Sequence, residues 1–212
     1  MRTRLLAAAA GAAMVVTAGA VGAAYEDGWY KAPFWSGEYP RGFTVETDLT
    51  LAIRAVPDPD AAATIECTLP QGATYHPWNW ERVESDELEF VTFSPTIEHV
   101  VVANGAAFAF PPESMEPVEL TFEPGDRWEF LAYLGEGFFF IRFEGVVYEV
   151  GQEMYDFSEA SGAAADDRQP DEWLRLTCAN GARGWILLPE ALAQPGLTDA
   201  AITSYGEASD VE

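Results

Sequence analysis

The sequence predicts an all-β protein made of small barrels, and three observations carry that prediction. A phrase of alternating apolar residues ending in a glycine turn is written twice. The first copy is Ile65-Glu66-Cys67-Thr68-Leu69-Pro70-Gln71-Gly72-Ala73-Thr74-Tyr75, and the second is Val118-Glu119-Leu120-Thr121-Phe122-Glu123-Pro124-Gly125-Asp126-Arg127-Trp128. Alternation at period two marks a half-buried strand, and the glycine marks a turn needing positive φ or close backbone approach. Paired prolines precede both copies, Pro57-Asp58-Pro59 and Pro111-Pro112. Short strand patterns joined by tight turns then fill Val118 to Val150, the signature of a small barrel. One supersecondary unit has been used more than once.

Taken in order, residues 1–24 read as a signal peptide. Arg2 and Arg4 form a basic start, Leu5 to Val21 is apolar apart from Thr17, and small residues follow at Gly22-Ala23-Ala24. Ala and Gly fill most of that stretch and contribute little transfer energy, so cleavage is expected rather than a retained membrane anchor. Residues 25–42 form an aromatic arm, with Tyr25, Trp29, Tyr30, Phe34, Trp35 and Tyr39 punctuated by Pro33, Gly37 and Pro40. The prolines exclude a long helix or central strand. The arm is expected to pack across the body and bury its rings there; a lip touching a ligand is the other reading.

Phe43-Thr44-Val45 through Arg54 reads as strand, Ala55 to Ala61 as a proline-rich loop, and Thr64 to Leu69 as strand. After the Pro70-Gln71-Gly72 turn, Ala73 to Trp80 begins another strand, and Glu87 to Thr92 reads as an edge strand. Ile97 to Val102 is an apolar run ending at Asn104-Gly105, a hairpin-turn signal. Four runs follow: Val118–Phe122, Arg127–Tyr133, Phe138–Phe143 and Val146–Val150. Residues 151–171 lose periodicity and read as a linker. Trp173–Cys178 and Gly184–Leu188 are strands around the Ala179-Asn180-Gly181 turn, with a helical turn at Glu190–Ala193. Residues 191–212 read as an acidic tail.

Composition narrows the function classes. The formal charge is −24, and losing Arg2 and Arg4 with the leader takes it to −26. Such a surface repels phosphate backbones and anionic lipid, so no nucleic-acid partner and no stable membrane insertion is expected. The two cysteines, Cys67 and Cys178, point to one disulfide in an exported chain, secreted or periplasmic.

Several segments resemble bacterial SH3-like domains. Leu51-Ala52-Ile53-Arg54-Ala55-Val56-Pro57 resembles their opening strand and loop, and Leu69-Pro70-Gln71-Gly72 their apolar-x-x-Gly turn. Trp173-Leu174-Arg175-Leu176 with Asn180-Gly181-Ala182-Arg183-Gly184-Trp185-Ile186 resembles their closing strands. Phe140 to Tyr148 is a looser version, with Tyr148 where the family usually has Trp. The order of these motifs leaves an opening half at 43–95 and a closing half at 172–190, separated by a unit at 96–150 that is complete. The resemblance therefore implies two SH3-like β-barrels, the first split by insertion of the second. Cys67 and Cys178 then fall on the two halves of the split barrel, and a disulfide would pin them together. A string of three modules is the alternative.

No catalytic constellation is found. His76 and His99 stand among aromatics and before an apolar strand, no Ser lies in a nucleophile elbow, and Asp58 and Asp60 lack the ligand spacing of a calcium loop. An enzyme is not expected, nor a cofactor or metal. The positive signal is aromatic: Tyr75, Trp78, Trp80, Tyr133 and Trp173 are the candidate groove residues, because flat rings accept extended peptides at low entropic cost. Trp128 and Trp185 read as core, since small barrels need large rings; for Trp78 and Trp80 groove and core stay equally open. The expected function is a non-catalytic adaptor engaging a peptide, a cell-wall component or an envelope protein. The alternative is a structural accessory subunit docking through the arm and the acidic surface. Mass spectrometry of exported protein should show loss of about two dozen N-terminal residues. A mature species that keeps Arg2 and Arg4 would contradict this.

Overall fold

The computed structural model describes residues 25, 27–112, 114, 116–161 and 168–200. The predicted signal peptide and residues 201–212 of the predicted tail lie outside the described residues. The chain runs through β1 (Trp29–Ala32), β2 (Phe43–Val45), β3 (Leu49–Ile53), β4 (Ile65–Leu69), β5 (Thr74–Tyr75), α1 (Trp80–Glu84), β6 (Leu88–Pro95), β7 (Ile97–Val101) and β8 (Gly105–Phe110). It continues through β9 (Val118–Phe122), β10 (Arg127–Gly135), β11 (Phe138–Phe143), β12 (Val146–Val150), a 3-10 turn (Gln152–Asp156) and β13 (Ser158–Ala160). The last described elements are β14 (Asp171–Thr177), β15 (Arg183–Leu187), α2 (Leu188–Leu192) and β16 (Leu197–Asp199). The protein is all-β apart from these short helices.

Two sets of strands pair in a related order, the later one as a single sheet and the earlier one as three. In the later set, β7 lies between β10 and β13, β8 pairs with β9 and β12, and β11 pairs with β10 and β12. Together these strands make one seven-stranded curled sheet. In the earlier set, β2 lies between β5 and β16, β3 pairs with β4, and β14 pairs with β6 and β15. The single bridge from Arg54 to Trp185 stands where β8 meets β12 in the later set. Each set has its own core. One is built from Phe43, Leu69, Tyr75, Leu88, Leu174 and Leu188 with their neighbours, the other from residues 101–157 around Trp128, Phe139 and Ile141. The chain thus leaves the first core after β6, completes the second, and returns to the first at β14.

Cys67 and Cys178 form a disulfide inside the first core, with Cα atoms 5.3 Å apart across 111 residues of sequence. Arg54 ties the same halves a second way. Its Nη1 and Nη2 donate to Glu190 Oε2 and Oε1 at 2.5 and 2.9 Å, its Nε donates to the Ala61 carbonyl, and its guanidinium lies 5.5 Å from the Trp173 ring centre. Only 12 % of the Arg54 side chain is exposed, so this fork is worth more than an ordinary surface pair.

Several expectations are corrected. β6 is not an edge strand, for β1 flanks it on one side and β14 on the other. The segment after Tyr75 turns into α1 instead of continuing as strand, because the Asn79 side chain accepts the Arg82 amide and caps a helix there. Asn104-Gly105 does not close a hairpin, since β7 and β8 pair with other strands. Gly105 is required by contact instead: a Cβ there would sit 2.3 Å from the Phe157 ring. Residues 151–160 are no free linker, as Met154 and Phe157 are buried and β13 borders β7. The start of the predicted tail is ordered too, with α2 and β16 packed on the first core.

The arm behaves as satellite core. β1 pairs with β6, and Tyr25 stacks on Phe93 with ring centres 3.8 Å apart. Trp173 Nε1 donates to the Tyr25 hydroxyl at 2.9 Å, and that hydroxyl donates to Asp171 Oδ2 at 2.8 Å. Burial first, and then the Asp171 carboxylate, push the Tyr25 phenol well above its usual range. Substituting Gly105→Ala should cost about 1–3 kcal/mol, because a methyl group must displace a packed ring. Chemical denaturation checks this, and an unchanged midpoint would contradict the contact.

Candidate functional site

The five aromatic residues predicted to line a groove do not come together. Tyr75 is 1 % exposed and Trp173 is fully buried, so both are core and neither can face a ligand. Truncating a buried ring of this kind costs about 3–5 kcal/mol, which is a folding role. Tyr133 is half-buried, and its hydroxyl accepts the Gly137 amide at 3.2 Å, holding the β10–β11 turn. Trp78 is half-buried with its ring edge-on to Trp35, 6.1 Å between centres. Trp80 begins α1 and is 48 % exposed, on a different element from Tyr133 and Trp173.

The open aromatic surface lies elsewhere, on the outer face of the seven-stranded sheet. Register sets Phe110 of β8 beside Glu149 of β12, and Glu149 beside Phe140 of β11. With Phe138, Pro111, Pro112 and Ser114 these residues line a depression of about 470 Å³. Phe138 is 41 % exposed and also borders a second depression of 280 Å³, formed with Trp35, Glu38, Leu134 and Glu136. Phe34 of the arm tilts against Phe140 at 5.3 Å, so the arm forms one wall of the band. The rings are outward because strand side chains alternate: Phe139 and Ile141 point into the core, which turns Phe138 and Phe140 out.

That alternation was available in the sequence. Three consecutive phenylalanines, Phe138-Phe139-Phe140, cannot all be buried on a strand with one core face. The pairing of β12 with β8, which brings Phe110 and Pro111 to them, has no local signal.

The candidate bases are both held in structural roles. His76 is buried; its Nδ1 accepts the Trp78 amide at 3.1 Å, so Nε2 carries the proton and donates to the Pro40 carbonyl at 3.0 Å. His99 stacks on Trp128, 4.0 Å between ring centres and nearly parallel. Among the described residues neither His99 Nδ1 nor Trp128 Nε1 has a hydrogen-bond partner. Burial lowers the pKa of both histidines. Asp58 Oδ1 accepts the Asp60 amide at 2.9 Å, a turn contact. Among the described residues no group of three His, Cys, Asp or Glu side chains is gathered as for a metal ion.

The histidine burial has a pH consequence. The unfolded chain takes up protons on histidine near pH 6.5, before the folded chain does. The stability contributed by neutral His76 is therefore present above about pH 6.5 and is lost as pH falls from there towards the lower folded pKa. Urea unfolding at about pH 7.5 and about pH 5.5 should show a larger acid loss for the native chain than for His76→Gln. Equal losses would contradict the assignment.

Comparison with known proteins adds no relative to this geometry: no family model, curated protein or solved structure matches the chain.

Proposed function

We propose that the chain is an exported, non-catalytic binding module made of two SH3-like barrels, the second inserted into the first. It engages an extended peptide segment of a partner, in the envelope or outside it, through the aromatic band on the inserted unit. The observation that carries this reading is the row Phe110–Glu149–Phe140 with Phe138 beside it, open to solvent between two depressions. Phe138 is exposed with half-buried Phe110 and Phe140 beside it, and contiguous apolar surface of this kind marks interaction sites. The disulfide fits an oxidising compartment. Among the described residues no helix is long and apolar enough to cross a membrane.

Docking through the arm as an accessory subunit is less well supported. Tyr25 is buried in the small core around Phe93 and Trp173, and Trp29 packs against it, so this end of the arm is held by the body and does not face a partner. The acidic surface alone carries no specificity.

The reading is tested by capture from an envelope fraction with the tagged mature chain and with Phe138→Ser. Because Phe138 is partly exposed, the substitution should change stability by less than about 1 kcal/mol while removing the captured partner. Capture unaffected by Phe138→Ser, or lost equally with Trp80→Ser on α1, would overturn the assignment of the site.

A further inference from the structure

We infer that the aromatic band takes a basic segment, with a lysine or arginine side chain seated between Phe110 and Phe140 over the carboxylate of Glu149. This rests on the reading of the band as a peptide groove and adds the chemistry of what fills it.

Glu149 is the reason. It is half-buried between two phenylalanines, and none of the described ion pairs includes it. Three strand glutamates are held by arginine, Glu129 by Arg142, Glu98 by Arg127 and Glu89 by Arg175, whereas among the described residues Glu149 lies with no such partner between two rings. Arg142 lies two residues beyond Phe140 on the same face, but Glu129 of the neighbouring strand holds it. No lysine or arginine lines either depression among the described lining residues, while the second depression carries two further carboxylates, Glu38 and Glu136.

Each alternative occupant meets a physical objection. A wholly apolar segment would cover Glu149 and strip its water without replacing it, which burial of a charge does not tolerate. An anionic ligand would approach that carboxylate directly and would first have to enter the field of a chain of net charge −24. A second copy carries that same charge, and residues 201–212 contain no Lys or Arg. A cation satisfies the site twice over. It pairs with Glu149, and it meets the negative faces of flanking rings, an attraction that strengthens as water is excluded. The apolar stem of Lys or Arg lies well against phenylalanine and proline.

The test uses random dodecapeptides displayed on phage, selected against the full mature chain, followed by calorimetric titration of the recovered peptides. Recovered sequences should carry Lys or Arg among apolar residues. Glu149→Gln should weaken them about tenfold, the scale of one charge-assisted contact. Glu66→Gln, an exposed charge on β4 of the other unit, should weaken them less than about twofold, since it acts only through a screened field. Replacing the peptide's arginine with citrulline should weaken binding to the native chain and leave binding to Glu149→Gln nearly unchanged. Equal losses in Glu149→Gln and Glu66→Gln would reduce the preference to general charge and overturn the inference. Neutral peptides that bind and are lost with Phe138→Ser would also overturn it, leaving the groove itself in place. Peptides indifferent to Phe138→Ser would remove the groove and the inference together.

Discussion

Cys67 and Cys178 join two segments of the first core that are separated in sequence by the residues of the second, and the first core depends on that closure. Half of the first core comes from residues 43–88 and half from 174–197. Neither half can bury its apolar face alone. On the chain-entropy model, a crosslink spanning 111 residues is worth on the order of 4–5 kcal/mol. That is comparable with the whole stability of many domains. The β6–β14 ladder and the Arg54–Glu190 fork act across the same junction.

The segment between the two halves, residues 96–161, eases this closure. The chain passes from Pro95 of β6 directly into β7, and β13 brings it back with Ala160 opposite His99. The Ser161 amide donates to the Glu98 carbonyl at 2.8 Å, so exit and entrance are neighbours. Once the insert has folded, the effective loop between β6 and β14 is far shorter than the sequence separation, and its closure entropy is correspondingly smaller. The insert closes its own corresponding strands without a disulfide. Phe122 and Phe143 meet there at 4.7 Å, a ring contact near the position that Cys67 and Cys178 bridge in the first unit. A contiguous unit needs only packing at this point, whereas the divided one has a covalent bond.

Much of this fold was legible because its turns announce themselves. Gly72, Gly125, Gly145 and Gly181 each have φ between 79° and 102°, and each ends a strand read from alternation. The disulfide was legible from the count of two cysteines together with the expected export. What could not be read was non-local. Asn104-Gly105 has the composition of a hairpin turn, yet β7 and β8 separate there because each finds its partners far along the chain. β13 and β16 are three residues each, too short to show a period. The site was missed for a related reason. Tryptophan drew attention as the larger ring, but Trp173 fills a core, while the band is made of phenylalanines on the strand face that alternation should have turned outward. Glu149 acquires meaning only through the register that sets it between Phe140 and Phe110.

The first core depends on both of its distant halves, whereas the second is built from residues 101–157 alone. Amide hydrogen exchange of the oxidised and the reduced chain tests this directly. On reduction, protection should fall together in β3, β4 and β14, while β10, β11 and β12 keep theirs. Uniform loss across both units, or unchanged protection in β4 and β14, would contradict it.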